Sequence, residues 1–366
     1  MKKKVVVGMS GGVDSSVTAL LLKQQGYEVV GLFMRNWEYG IKGSQCPNRI
    51  EFEDAKKVGE LIGIEVVGKD FVEEYRTKVF DVFLEGLKKG LTPNPDILCN
   101  REIKFNVFLN EAKKMGADMI ATGHYAKIAK YQDHYVLDTP KDSSKDQSYF
   151  LHALSSEQLS HAMFPLGDLT KTQVREIARE HNLPVSDKKD STGICFIGNQ
   201  RFDEFITQHL KAVPGDIIDE HGKVIGKHKG LICYTLGQRK GIGLGGIKET
   251  ESDGHIHKPW YAAKKDIENN TLTVVQDTVH PILMNENVEA SHMHWVLENP
   301  PKIGDKLMAQ VRYRQQKQAC TVSKTFEDGR VIVKFDKPQR AVTLGQSLVL
   351  YDGEYCLGGG FISDYN

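Results

Sequence analysis

Cys99 and Cys195 are the two side chains of this 366-residue chain whose surroundings best suit nucleophilic chemistry. Cys99 falls in TPNPDILCNREIKF, residues 92–105, at what reads as the start of a helix running to Met115. The positive end of a helix dipole and the neighbouring Arg101 both favour the thiolate, the reactive form. Asp96, three positions earlier, is placed to pass a proton or to orient a polar substrate. Cys195 falls in DSTGICFIG, residues 190–198, where glycines permit close backbone approach. Cysteine is more often a small buried hydrophobe than a nucleophile. The polar, turn-rich flanks of these two set them apart from Cys233, Cys320 and Cys356.

A second chemical centre is GMSGGVDSS, residues 8–16. Gly8, Ser10, Gly11 and Gly12 let backbone N–H groups curl inward as an anion nest, and the following helix adds its positive end. Ser10, Ser15 and Ser16 can supply hydroxyl donors. Asp14 is out of place beside an anion unless a cation such as Mg2+ accompanies it. No Gly-Lys-Ser/Thr closes the loop, so it is not a Walker loop, and the dinucleotide fingerprint is absent too. SGGVDS, residues 10–15, resembles the pyrophosphate loop of ATP pyrophosphatases, which split ATP into AMP and pyrophosphate to activate a carbonyl oxygen.

These residues need a scaffold that brings distant segments together. Val5, Val6 and Val7 read as a strand buried on both faces of a parallel sheet. Val17, Leu20 and Leu21 then mark a helix from Asp14 to Gly26. Strands at 29–34, 64–67 and 118–122 alternate with helices at 50–63, 71–89 and 99–115. That alternation predicts a doubly wound α/β nucleotide-binding domain with its ligand at the carboxyl ends of the strands. Helices follow at 147–154, 171–181 and 202–210. From Pro214 onward short alternating strands separated by turns predict two smaller, mainly β domains, divided near residue 282. The boundaries expected are 1–211, 212–282 and 283–366.

Lysine plus arginine equal aspartate plus glutamate at 48 each, so net charge alone does not favour nucleic acid. The distribution does. Residues 223–248 carry six basic side chains and 306–326 carry five, with no acid in either stretch. Such stripes are the footprint of a phosphate backbone. The segment 237–248, GQRKGIGLGGIK, reads as a mobile loop near phosphates. No apolar stretch approaches the ~18–20 residues of a membrane span. No two of the six cysteines lie closer than 36 positions, which excludes a Cys-x-x-Cys zinc or redox pair. A cytoplasmic protein with reduced thiols is expected.

With these motifs in order along the chain, the sequence resembles the tRNA-specific 2-thiouridylases, which thiolate the wobble uridine of certain tRNAs. The resemblance rests on residues 8–15, 92–100, ATGHYA at 121–126, SKDQSYFL at 144–151, residues 190–198 and GQRKG at 237–241. It implies an ATP site of Gly8, Met9, Ser10, Gly11, Gly12, Val13, Asp14, Ser15, Met34 and Gly123. It implies that Asn94, Pro95 and Asp96 meet the target base. His124, Lys145, Asp146, Gln147, Arg312, Tyr313 and Gln346 are then expected to touch tRNA. Cys195 would carry a persulfide and Cys99 would complete sulfur release, with Asp96 in the same catalytic set. The implied substrate is ATP with Mg2+, and the partners are tRNA and a persulfide donor protein, either a cysteine desulfurase or a sulfur relay. A monomer free of membrane is expected. The chain departs from the family at EYGIKGSQ, residues 38–45, where many members carry an acidic run. An amidotransferase-type pyrophosphatase, a silent tRNA binder, and an iron–sulfur cluster on Asp96, Cys99 and Cys195 remain alternatives at the level of sequence.

Overall fold

The structure, a computed structural model, describes residues 2–38, 46–189, 197, 201–244 and 258–366. Its first half holds strands β1 (Lys4–Met9), β2 (Glu28–Arg35), β3 (Glu65–Asp70), β4 (Met119–Ala121), β5 (Lys127–Tyr131), β6 (His134–Asp138) and β7 (Ala162–Met163). Five of them form a parallel sheet in the order β3-β2-β1-β4-β7. The valine block of β1 explains why this strand is central. Val5, Val7 and Met9 pack on one face with Val17 and Leu20 of helix α1 (Val13–Gln24) and with Val174. Val6 packs on the other face with Leu32, Phe105 and Phe108. Burying each valine on this scale stabilises the fold by roughly 1.5–3 kcal/mol relative to exposure. The strand order reverses direction between β1 and β4, so a crevice opens at their carboxyl ends, where loops 10–12 and 122–126 emerge.

The second half is β-rich, as the alternation predicts. β8 (Gly215–Ile218), β9 (Val224–His228), β10 (Tyr261–Asp266) and β11 (Thr271–Val275) form a sheet in the order β10-β11-β8-β9 around Ile217, Leu272 and Val274. β12 (Met284–Trp295), β13 (Lys306–Gln310), β14 (Gln318–Thr325), β15 (Val331–Arg340), β16 (Ser347–Asp352) and β17 (Tyr355–Tyr365) pair in a ring. The β12–β17 pairing closes that ring into a barrel filled by Val288, Val322, Phe335 and Leu348.

One link is missing from the sequence reading. The hairpin β5–β6, encoded within the first half, pairs with β17 through Tyr355–Asp138 and Cys356–Leu137. It thereby adds two strands to the C-terminal sheet. A second difference is the predicted helix 147–154, which is shortened to Ser148–Leu151. Ser155 starts a separate helix there, bonding the Gln158 N–H while the Gln158 side chain caps Ser155 in return.

Candidate functional site

The loop after β1 is shaped by glycine. Gly11 has φ +69°, and a Cβ on it would lie 2.3 Å from the Glu51 carbonyl oxygen. Both facts exclude a larger residue. Ser10 N–H donates to Ser15 Oγ at 3.1 Å, and the Ser15 and Ser16 hydroxyls reach Gly12 O at 3.2 and 2.8 Å. The serines therefore bind the loop to itself. The first turn of α1 then points its backbone N–H groups at the crevice. Gly123 closes the same corner, since a Cβ there would lie 2.9 Å from Asp14 C and Ser15 N. Met34 reaches the loop as well, its Cε being 3.3 Å from where a Gly8 Cβ would stand. The structure thus gathers residues 8–15, Met34 and Gly123 at one place.

Asp14 has a partner that sequence reasoning missed. Lys171 Nζ donates to its two carboxylate oxygens at 2.7 and 2.8 Å, and Tyr125 OH donates to Oδ1 at 2.9 Å. Lys188 Nζ meanwhile donates to Gly11 O and to Asp54, both at 2.9 Å. A lysine of this chain thus lies beside Asp14. Among the described residues no group of three or more His, Cys, Asp or Glu side chains is placed to hold a metal ion. A Mg2+ at this place would need phosphate oxygens among its ligands, since the described protein side chains alone do not form a cage for it.

The segment around Cys99 corrects one expectation. The helix starts at Pro95, not near Cys99, because Asn94 Oδ1 accepts the Asp96 N–H at 3.1 Å and Pro95 stands at the first helical position. Cys99 lies in the second turn and is 4% exposed. From Cys99 to Val107 the backbone is π-helical, a rare form that is frequent at functional sites, and Arg76–Phe80 shares it. Asp96 is half-buried, and burial pushes its carboxyl above the usual carboxylate range, with the Lys104 charge opposing. His124 is buried between the rings of Phe105 and Phe164, and burial holds it well below the usual imidazole range, seconded by Lys104. It is a neutral imidazole. Lys104 Nζ lies 3.4 Å from its Nε2, which assigns the proton to Nδ1, donating to Thr122 Oγ1 at 2.7 Å.

The barrel reaches this site directly. Thr92 N–H donates to Leu344 O at 2.8 Å, and Gln346 Nε2 donates to Thr92 O at 2.7 Å. Tyr313 packs on Phe150 with ring centroids 4.1 Å apart, and Asn100 Nδ2 donates to Phe150 O at 3.0 Å. Gln147 is bound to Tyr125 through both its backbone N–H and its side-chain oxygen, each at 2.9 Å. Asp146 caps Ser148 at 2.9 Å, and Lys145 precedes it in a short turn, Ser143–Lys145. Arg312 Nη1 reaches Leu236 O at 3.4 Å, and Arg340 Nη1 would lie 3.0 Å from a Cβ on Gly237. Gln346 is brought to Thr92 and Tyr313 to Phe150, which Asn100 also contacts; the 145–147 segment is tied instead to Tyr125 and Ser148; Arg312 and Arg340 are brought to loop 237–241.

The basic stripes are less free than their sequences imply. Lys227 pairs with Asp216 at 2.5 Å, Lys229 with Asp203, and Lys317 with Glu354 at 3.4 Å. Acids absent from the stripe arrive from other segments. Cys195, residues 39–45 and the end of the 237–248 loop lie outside the described residues. Lys104, Lys171, Lys188 and Arg340 were not singled out by sequence. Only for Lys171 did a signal exist, a lysine opening a helix against its dipole.

Three family models match the chain in sequence. Residues 3–199 match the tRNA methyl transferase HUP domain, 203–276 the tRNA methyl transferase PRC-barrel domain, and 285–362 the aminomethyltransferase beta-barrel domain. The tRNA-specific 2-thiouridylase MnmA 2 of Aliarcobacter butzleri (strain RM4018) is 85% identical over 363 residues, covering 99% of both chains. The tRNA-specific 2-thiouridylase MnmA of Paracidovorax citrulli (strain AAC00-1) is 50% identical over 366 residues, covering 99% of this chain and 96% of the relative.

Proposed function

The chain belongs to the tRNA-specific 2-thiouridylase family, and from that premise we propose that it replaces the C2 oxygen of the tRNA wobble uridine with sulfur. Uracil C2 is a poor electrophile and its oxygen a poor leaving group. Loop 8–15 takes the phosphates of ATP, with Met34 and Gly123 completing that site. The C2 oxygen attacks the α-phosphorus, the bond to pyrophosphate breaks, and the base is left adenylated. Mg2+ enters with ATP as its phosphate complex and belongs to the substrate.

The base must leave its stack to reach this crevice. Asn94, Pro95 and Asp96 receive it, and the raised carboxyl of Asp96 suits it to exchange the N3 proton. A persulfide on Cys195, loaded by a cysteine desulfurase or a sulfur relay, attacks C2 and AMP leaves. Cys99 then attacks the inner sulfur, freeing 2-thiouridine and forming a Cys99–Cys195 disulfide. His124, Lys145, Asp146, Gln147, Arg312, Tyr313 and Gln346 guide the RNA, in a monomer acting in the cytoplasm. No described helix is long and apolar enough to cross a membrane.

The observation that carries this reading is the anion loop at the carboxyl end of the central strand β1, where Phe108, in the helix that continues from Cys99, lies 3.5 Å from the Gly8 Cβ position, while Thr92 just before that helix is bonded to the barrel through Leu344 and Gln346. The test is incubation of the protein with unmodified tRNA, ATP, Mg2+ and a persulfide donor. Equal amounts of 2-thiouridine, AMP and pyrophosphate are expected. Cys195→Ala should adenylate tRNA without thiolating it. Wild-type protein that leaves the uridine unchanged, or thiolates it without ATP, overturns the proposal.

A further inference from the structure

We infer that Lys171 is the catalytic cation of the pyrophosphate loop and that Asp14 acts by positioning it. The inference rests on the ATP-dependent reading above and goes beyond it, since Lys171 was not among the residues assigned there. Three observations converge. First, the ammonium meets both oxygens of Asp14, and Tyr125 OH meets one of them. A carboxylate so engaged offers little to a metal ion. Second, Lys171 is the first residue of the helix Lys171–Glu180, where a positive charge opposes the helix dipole. Helix stability alone would not put it there. Third, its backbone is fixed independently of its side chain. Thr170 and Gln173 form a reciprocal capping pair, and Lys171 N–H donates to Asp142 Oδ2 at 2.9 Å. The side chain is 12% exposed and lies over the Tyr125 ring, 5.9 Å from its centroid. This is a rigid mount for one ammonium, aimed at the first turn of α1 where the leaving group must lie.

When the bond between the α-phosphorus and pyrophosphate breaks, negative charge grows on the departing oxygen. Lys171 turns from Asp14 to that charge, and Asp14 with Tyr125 keeps the ammonium within reach. A cation fixed before the reaction costs no reorganisation when it is needed. Asp14 therefore resembles the orienting carboxylate of a catalytic pair rather than a metal ligand.

Calorimetry with inorganic pyrophosphate and kinetics on the full chain test this. Lys171→Met should weaken pyrophosphate binding about tenfold or more and lower kcat for tRNA-dependent pyrophosphate release about 100-fold. The Kd for tRNA should not change. Asp14→Asn should reduce kcat while leaving the Mg2+ concentration at half-maximal rate unaltered. The Asp14→Asn/Lys171→Met double variant should be no slower than Lys171→Met alone, because both act through one group. Lys171→Arg should recover part of the rate, and melting temperatures identify any variant that fails to fold. Wild-type pyrophosphate affinity in a folded Lys171→Met protein overturns the inference. So does an Asp14→Asn protein that needs several-fold more Mg2+ and adds its loss to that of Lys171→Met. If wild-type protein turns nothing over yet loses pyrophosphate affinity on Lys171→Met, the thiolation reading falls and the lysine assignment stands.

Discussion

Asp96 and His124 face the same ammonium, Lys104, and burial drives both toward their neutral forms. A pocket that disfavours charge suits an uncharged base before it is activated. The cost shows in stability. Because the folded-state pKa of Asp96 is raised, its ionised form is penalised in the native protein at neutral and alkaline pH. The penalty disappears as pH falls below the unfolded carboxyl value, near ~3.9. Asp96→Asn should therefore raise the melting temperature at pH 8 by about 2–4 °C, equivalent to ~1 kcal/mol, while thiolation drops. Calorimetry at pH 8 and at a pH below the unfolded carboxyl value measures this, and the gain should be smaller at the lower pH. Asp96 and Cys99 were legible in the sequence because their segment is dense in proline, asparagine and aspartate. Lys171 carried one local signal, its place at a helix start against the dipole, but its partner lies 157 positions away and no local pattern reports that contact.

Among the elements, strands β1 to β4 and helix α1 were legible from apolar spacing and their ends moved by only a few residues, whereas β7 lies in a stretch read as helical. The start of the Pro95 helix shows what shifts an end. The expectation placed it at the first nucleophile, whereas the capping asparagine and proline place it a turn earlier. Strand β10 carries a different signature. Lys265 is half-buried there, and burial pulls its ammonium down to about 8. The folded chain then holds fewer protons than the unfolded chain between about pH 8 and ~10.4, so stability contributed by this group rises with pH over that window. Lys265→Met should stabilise the protein at pH 7 by on the order of 2 kcal/mol, and the gain should shrink above pH 8. Urea unfolding at pH 7 and pH 9.5 tests the sign. An equal gain at both values would place the effect in packing rather than charge.

Taken whole, the molecule holds its α/β half and its barrel together through buried polar contacts, among them those of Tyr149. Tyr149 OH donates to Ser347 O at 3.0 Å and accepts from Ser347 N–H at 3.1 Å. Tyr149→Phe leaves both groups of a fully buried serine unpaired and should cost about 1–3 kcal/mol, read as a lower urea midpoint. Arg312 is exposed on the barrel beside the loop at Leu236. Arg312→Ala should weaken tRNA binding and reduce its salt slope by about 1, as filter binding across salt concentrations would show. The charge stripes were legible as composition, but their pairing with Asp203, Asp216 and Glu354 depends on tertiary structure.

The strand pairing of β6 with β17 also sets a schedule for synthesis. The hairpin leaves the ribosome with an unpaired edge, and its partner at Tyr355 and Cys356 is translated roughly two hundred residues later. At ~5–20 residues per second the wait is about 10–40 s. During that interval the nascent catalytic half carries an edge open to wrong partners. Synthesis of β17, rather than completion of the parallel sheet, is then the event that covers this edge. A ribosome stalled inside the barrel would leave an α/β fragment with an uncovered edge, a natural substrate for chaperones or proteases.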